Sequence, residues 1–185
     1  AANVAVMRVM QKYGLRPDFL IGHSLGEYAA LVAAGVLSFA DALKIVSARG
    51  RAMTSIDAPD PGAMAAVSAP IERVQALLQE LSGYIVIANI NSPVQCVLGG
   101  ETAAIEAAVE AFKAQGLQAV RIPVSHAFHT RIVAPASTHL REEIAVHPIG
   151  KMQVPVVANV TGELYPESRD EILDMLATQV AAPVQ

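Results

Sequence analysis

Ser24 sits in the pattern Gly22-His-Ser-Leu-Gly26, a spacing that can expose a serine hydroxyl at the apex of a sharp turn. A match of this kind arises by chance in roughly one chain in twenty, so its context decides. Phe19-Leu20-Ile21 reads as a short buried strand feeding the turn, and Glu27 to Ala34 reads as a helix leaving it. Strand, tight turn and helix are what a nucleophile elbow requires, with small residues where the backbone is crowded. The helix N-terminus and the N–H of Leu25 then lie where an oxyanion would develop. The competing reading is a glycine-rich structural turn.

A serine hydroxyl attacks a carbonyl only when a base removes its proton. Five histidines are available. His139 and His147 fall in or after a predicted helix and read as surface residues, while His23 lines the turn beside the serine. His126 and His129 share a loop after a predicted strand, the usual place for catalytic groups in open α/β sheets. Spacing alone does not choose between these two as base. Nor does it make them a metal site, because no third ligand stands nearby in sequence. The loop carboxylates between serine and histidine, Asp57 and Asp60, follow no convincing strand. The orienting group is therefore a backbone carbonyl, or the enzyme is not a standard hydrolase. Arg49 reads most simply as a solvated helix arginine; buried, its planar fork would pair a substrate carboxylate.

The elements that must position these groups follow from periodicity. Apolar spacing predicts a helix over 3–13, ended by Gly14, and a helix capped by Asp41 running to about Met53 with Leu43, Ile45, Val46 and Met53 as core. Strands are predicted near 63–68, 84–90, 94–99 and 117–124, with helices at 70–81 and 101–115. That order is the ferredoxin-like β-α-β-β-α-β pattern. Beyond it come the histidine loop, a helix near 131–145, a strand near 153–159 and a helix from 168 to 179. The expected fold is α/β: an α/β-hydrolase-like lobe with a parallel sheet and nucleophile elbow (1–61 and 124–185), carrying an inserted ferredoxin-like subdomain (62–123).

Composition narrows the function classes. Of 185 residues, 53% are hydrophobic and 16% charged, which suits a well-buried core and argues against disorder. A net charge of −4, without basic clusters or aromatic platforms, excludes a nucleic-acid track. No apolar run is long enough to span a bilayer and no signal peptide is evident. The lone Cys96, in an apolar run, reads as a buried structural thiol and fits a cytoplasmic setting. Residue 1 lies inside an apolar-periodic segment and the chain stops after Ala181-Ala-Pro-Val-Gln185, so the sequence reads as a piece of something larger.

Six stretches together resemble the malonyl-CoA:acyl carrier protein transacylase family, which includes the acyltransferase domains of type I polyketide synthases. They are Gly22-His-Ser-Leu-Gly-Glu-Tyr-Ala-Ala30, Ala48-Arg-Gly-Arg51, Gly62-Ala-Met-Ala-Ala66, Asn89-Ile-Asn-Ser-Pro-Val-Gln95, Val124-Ser-His-Ala-Phe-His129 and Pro183-Val-Gln185. The resemblance implies that Ser24 is the nucleophile, His129 the base, and Arg49 the partner of the malonyl carboxylate. It implies that a main-chain carbonyl matching Gln185 orients the base, and that His23, Leu25, His126 and Phe128 line the substrate site. The box ending in His129 is similar to that of malonyl-selective domains, where Phe128 fills the space an α-methyl branch would need. Such steric discrimination is worth about 1 to 3 kcal/mol. Also implied are malonyl-CoA as substrate, an acyl carrier protein bearing phosphopantetheine as partner, neighbouring megasynthase domains, and no resident cofactor or metal. The family's N-terminal Gly-Gln-Gly-type segment, source of a second oxyanion N–H, is not among these residues. A serine hydrolase or thioesterase, or a non-catalytic docking lobe, are the alternatives.

Overall fold

The computed structural model describes residues 1–185, in the order α1 (Ala2–Lys12), β1 (Leu20–Ile21), α2 (Gly26–Ala33), α3 (Phe39–Thr54), β2 (Ala63–Ser68), α4 (Ile71–Leu78), β3 (Ile85–Ser92), β4 (Gln95–Gly100), α5 (Thr102–Ala114), β5 (Gln118–Ile122), α6 (Pro135–Ala145), β6 (Val156–Val157) and α7 (Arg169–Thr178). A 3₁₀ turn, Arg131–Val133, precedes α6. The fold is α/β with a parallel and an antiparallel sheet. The chain forms two compact units: Ala1–Ser55 with Ala136–Gln179, and Ile56–Pro135 with Val180–Gln185. The second contains the segment 62–123 together with flanking residues and the C-terminal segment Val180–Gln185.

In the first unit β1 pairs in parallel with β6, Leu20 opposite Val156 and Ile21 opposite Val157. Gly14, at φ +83°, and Gly35, at φ +80°, take the left-handed conformation that closes helices α1 and α2. Two expectations need correction. Helix α3 is capped by Ser38, whose Oγ accepts the Asp41 N–H at 3.0 Å while its hydroxyl donates to the Asp41 carboxylate at 2.6 Å. Asp41 lies in the first turn, where it serves the helix dipole and closes this reciprocal cap. Leu43, expected in the core, is exposed, because the buried stripe of α3 runs through Ala42, Ile45, Ala48, Arg49, Ala52 and Met53. Likewise α1 buries only Val4, leaving Val6, Val9 and Met10 exposed.

In the second unit the antiparallel strands lie in the order β3-β4-β2-β5. Alternation along the strands gives the sheet two apolar faces. One face, with Ala65, Val67, Cys96 and Leu98, packs against Val74 and Leu77 of α4 and Ile105, Val109 and Phe112 of α5. Burial pushes the Cys96 thiol up to about 11, leaving it a core side chain. The other face, Met64, Ala88 and Val97, packs with Ala127, Phe128 and Ile132 from the histidine loop. At the C-terminus Val184 joins the edge of β3. Its N–H donates to the Ala88 carbonyl at 2.9 Å and its carbonyl accepts the Ile90 N–H at 2.8 Å.

Candidate active site

Ser24 and His129 are non-glycine residues with positive φ, +51° and +59°. Side chains rarely adopt this region, and where they do the surrounding structure must impose it. The two residues lie in different units, and each unit shows how it imposes the strain.

In the first unit the turn between β1 and α2 closes with Gly26 N–H donating to the His23 carbonyl at 2.9 Å and Glu27 N–H to the Ser24 carbonyl at 3.0 Å. The Leu25 N–H takes no such partner and lies at the α2 N-terminus, available to a developing negative charge. The Leu25 side chain and His23 are exposed. A methyl group on Gly22 would overlap the Gly26 carbonyl, which explains the first glycine. The second was expected to be equally crowded, and it is not: a Cβ on Gly26 would meet only Asn3 Nδ2, at 3.9 Å.

Three buried polar side chains that the sequence reading overlooked hold this turn. Asn159, just beyond β6, accepts the Ser24 N–H on Oδ1 at 2.5 Å and donates from Nδ2 to the Gly22 carbonyl at 2.6 Å. Gln179, just beyond α7, donates from Nε2 to the Ser24 carbonyl at 3.0 Å. Glu27, fully buried, accepts the Asn159 N–H on Oε1 at 3.0 Å and the Gln179 amide on Oε2. Burial raises the Glu27 pKa, opposed by these hydrogen bonds and by the charge of Arg49. Two signals could have exposed the trio. Glu27 is an acid on an otherwise apolar helix face, and Asn159 follows the carboxyl end of a parallel strand, where ligands bind in such sheets.

Arg49 is 7% exposed, so the solvated reading of this arginine is corrected. Helix α3 turns it inward between Ala48 and Ala52. Burial lowers its pKa while nearby Tyr28 and Glu27 push the other way, and its buried Nε has no partner. A buried guanidinium with a spare donor is suited to an acidic ligand.

In the second unit His129 is 4% exposed. Its N–H donates to the Val180 carbonyl at 3.1 Å and its Nδ1 lies 3.1 Å from the Ala182 carbonyl. A carbonyl only accepts, so Nδ1 carries the hydrogen and Nε2 is the basic nitrogen of the neutral ring. The carbonyl partner is thus that of Ala182, a correction to the expectation of Gln185. Because Val180 is tied to the His129 N–H and Val184 to β3, Ala182 is the residue carried opposite the ring; Gln185 lies past the pairing and is exposed. Thr130 Oγ1 donates to the Ala127 carbonyl at 2.6 Å, pinning the loop. Phe128 packs with Met64, Ala88 and Val97 and meets the His126 ring at a 6.1 Å centroid distance. His126 Nδ1 lies 3.1 Å from Ser125 Oγ. Asp60 is committed elsewhere, accepting the Thr102 N–H at 2.8 Å and hydroxyl at 2.6 Å at the start of α5. His147, expected at the surface, is largely buried with Nδ1 3.1 Å from Asp41. No three His, Cys, Asp or Glu side chains converge in a metal-ligating group, and no helix is long and apolar enough to cross a membrane.

An α/β chain with these features belongs to the acyl transferase domain family, whose profile matches residues 1–176. Within it, the chain is similar to the malonyl CoA-acyl carrier protein transacylase of Bacillus subtilis, at 37% identity over 99% of this chain and 59% of that protein. It is 42% identical, over 89% of its length, to a type I polyketide synthase for phenolphthiocerol synthesis from Mycobacterium marinum, matching 8% of that protein. Among solved structures it is similar to a malonyl-transacylase in complex with its type II polyketide acyl carrier protein, at 36% identity and a TM-score of 0.91, covering 100% of this chain and 61% of that one. The chain thus spans less than two thirds of these relatives.

Proposed function

We propose that this chain is the catalytic part of an acyltransferase that moves a malonyl unit from coenzyme A to the phosphopantetheine thiol of an acyl carrier protein, in fatty-acid or polyketide synthesis. The observation that carries the reading is Ser24 held in a left-handed strand-to-helix turn within an acyl transferase family chain. Ser24 Oγ attacks the thioester carbonyl as His129 Nε2 takes its proton. The tetrahedral oxyanion, met by the Leu25 N–H, collapses to a malonyl-serine ester. Coenzyme A leaves as a thiol with the proton from the imidazolium. The carrier's thiol then attacks the ester, His129 relaying its proton to Ser24 Oγ. The Ala182 carbonyl keeps the ring in the tautomer this needs and steadies the imidazolium. No step calls on a metal or a resident cofactor.

Arg49 holds the free malonyl carboxylate through its open donors, and Phe128 crowds the carbon where an α-methyl branch would sit. His23 and His126 border the acyl group. The relatives' names support the carrier protein and malonyl-CoA as partners, and the polyketide relative supports neighbouring synthase domains. The architecture is read as an α/β-hydrolase-like lobe (1–61 and 124–185) with an inserted ferredoxin-like subdomain (62–123). The parallel β1–β6 pair beside the elbow supports the first, and the strand order β3-β4-β2-β5 the second.

The test is substrate selectivity. Arg49→Ala in the full-length protein should reduce malonyl transfer to a holo carrier protein about 100-fold or more while acetyl transfer changes far less, since a charge-assisted bidentate pair is lost only for malonyl. Equal losses for both acyl groups would remove Arg49 from the carboxylate role. Rapid release of free malonate without a carrier would favour a hydrolase instead.

A further inference from the structure

The turn bearing Ser24 is held by side chains that the transfer cycle does not itself use. Asn159 and Gln179 grip the Ser24 main chain at its N–H and its carbonyl. An amide on a flexible side chain rotates easily about its last torsion, so neither grip is rigid alone. Glu27 removes that freedom at the Gln179 amide and anchors the main chain that carries Asn159. One carboxylate oxygen takes the main-chain N–H of Asn159, and the other takes the same Gln179 nitrogen that bonds the Ser24 carbonyl. With one hydrogen on each partner, the Gln179 amide is fixed with its NH₂ toward the serine.

We infer that Glu27 is a positioning residue for the nucleophile: its carboxylate locks the Gln179 amide and anchors the main chain of Asn159, so that both hold Ser24 in the left-handed conformation. This rests on the reading of Ser24 as the nucleophile. Both Glu27 oxygens face donors, so the geometry is that of an ionised carboxylate with both oxygens accepting. Burial opposes that charge, while the Asn159 and Gln179 hydrogen bonds, the nearby Tyr165 hydroxyl and the Arg49 charge favour it. The site thus carries an acid in a place where an apolar residue would be cheaper, which points to a task beyond packing. An isosteric amide cannot do this task, because its NH₂ would confront one of the two donors.

Glu27→Gln in the full-length protein tests it, read by the rate at which a serine-directed fluorophosphonate labels Ser24. The label carries no malonyl carboxylate, so it reports the nucleophile and not Arg49. Labelling and kcat should both fall about 10- to 100-fold, as for a small misplacement of a reacting atom, with KM for malonyl-CoA within about threefold and the malonyl-to-acetyl preference retained. Gln179→Met, which removes the amide at a helix end, should reproduce the loss, and decides alone if Glu27→Gln does not fold. A folded variant that labels at the wild-type rate overturns the inference. So does a changed acyl preference with unchanged labelling, which would make Glu27 the counter-charge of Arg49. A wild-type protein inert to the fluorophosphonate, by contrast, would overturn the acyl-serine reading itself.

Discussion

Positive φ costs a side chain roughly 1 to 3 kcal/mol, and this chain accepts that cost at Ser24 and His129. At Ser24 the opposing free energy comes from the bonds to Asn159 and Gln179, and at His129 from those to Val180 and Ala182. Glycine occupies this region freely. Ser24→Gly should therefore raise stability by about 1 kcal/mol over Ser24→Ala in urea titration, although on the proposed mechanism neither variant can be acylated. Equal stability of the two would mean that the turn is not strained. At this scale the sequence was informative about residue types and poor about partners. Ser24, His129 and Arg49 could be singled out by motif and resemblance, but Glu27, Asn159, Gln179 and Ala182 act through contacts whose partners stand up to 155 residues away. The Ala182-for-Gln185 difference shows the same limit: which carbonyl meets a ring depends on where the terminal segment is pinned, here by the bridge from Val184 to β3.

At the level of elements, the elbow depends on close approach at one glycine and not at the other. Gly22→Ala should destabilise by about 3 kcal/mol, since its methyl meets backbone that cannot move. Gly26→Ala, in open space at the start of α2, should be neutral or stabilising by up to about 1 kcal/mol. Urea denaturation of both checks this, and equal costs would contradict the geometry. The start of α5 offers a pH test. Hydrogen bonds from Thr102, then from Gly62, hold the Asp60 carboxyl below its ordinary 3.8. A depressed acid stabilises the fold above its unfolded pKa and loses that contribution as pH falls through the folded value. The contribution of Asp60 is thus present above about pH 3.8 and fades below it, so Asp60→Asn should flatten that part of the acid-denaturation curve. An unchanged acid limb would deny the cap its role. Regular helices and strands were legible within a few residues because periodicity is local. Misjudged were the burial of the β1 run, where Phe19 and Ile21 are exposed, the face of α3, where Leu43 is exposed, and the cap of α3, where Ser38 and Asp41 share the work.

For the molecule as a whole, the composition indicated a well-buried core and the order of predicted helices and strands an α/β protein, which the two sheets bear out. The order of the four antiparallel strands was not legible from spacing; it arises from pairings such as Ala63 with Gly100 and Ser68 with Gln118. Family membership rests on the match over residues 1–176, whereas the proposed reaction rests on one covalent event at Ser24. Intact-mass analysis of the full-length protein mixed with malonyl-CoA measures that event directly. The account predicts a single malonyl adduct on the wild type, discharged by a holo carrier protein and absent from Ser24→Ala. No adduct on the wild type, or one that persists in Ser24→Ala, would contradict it.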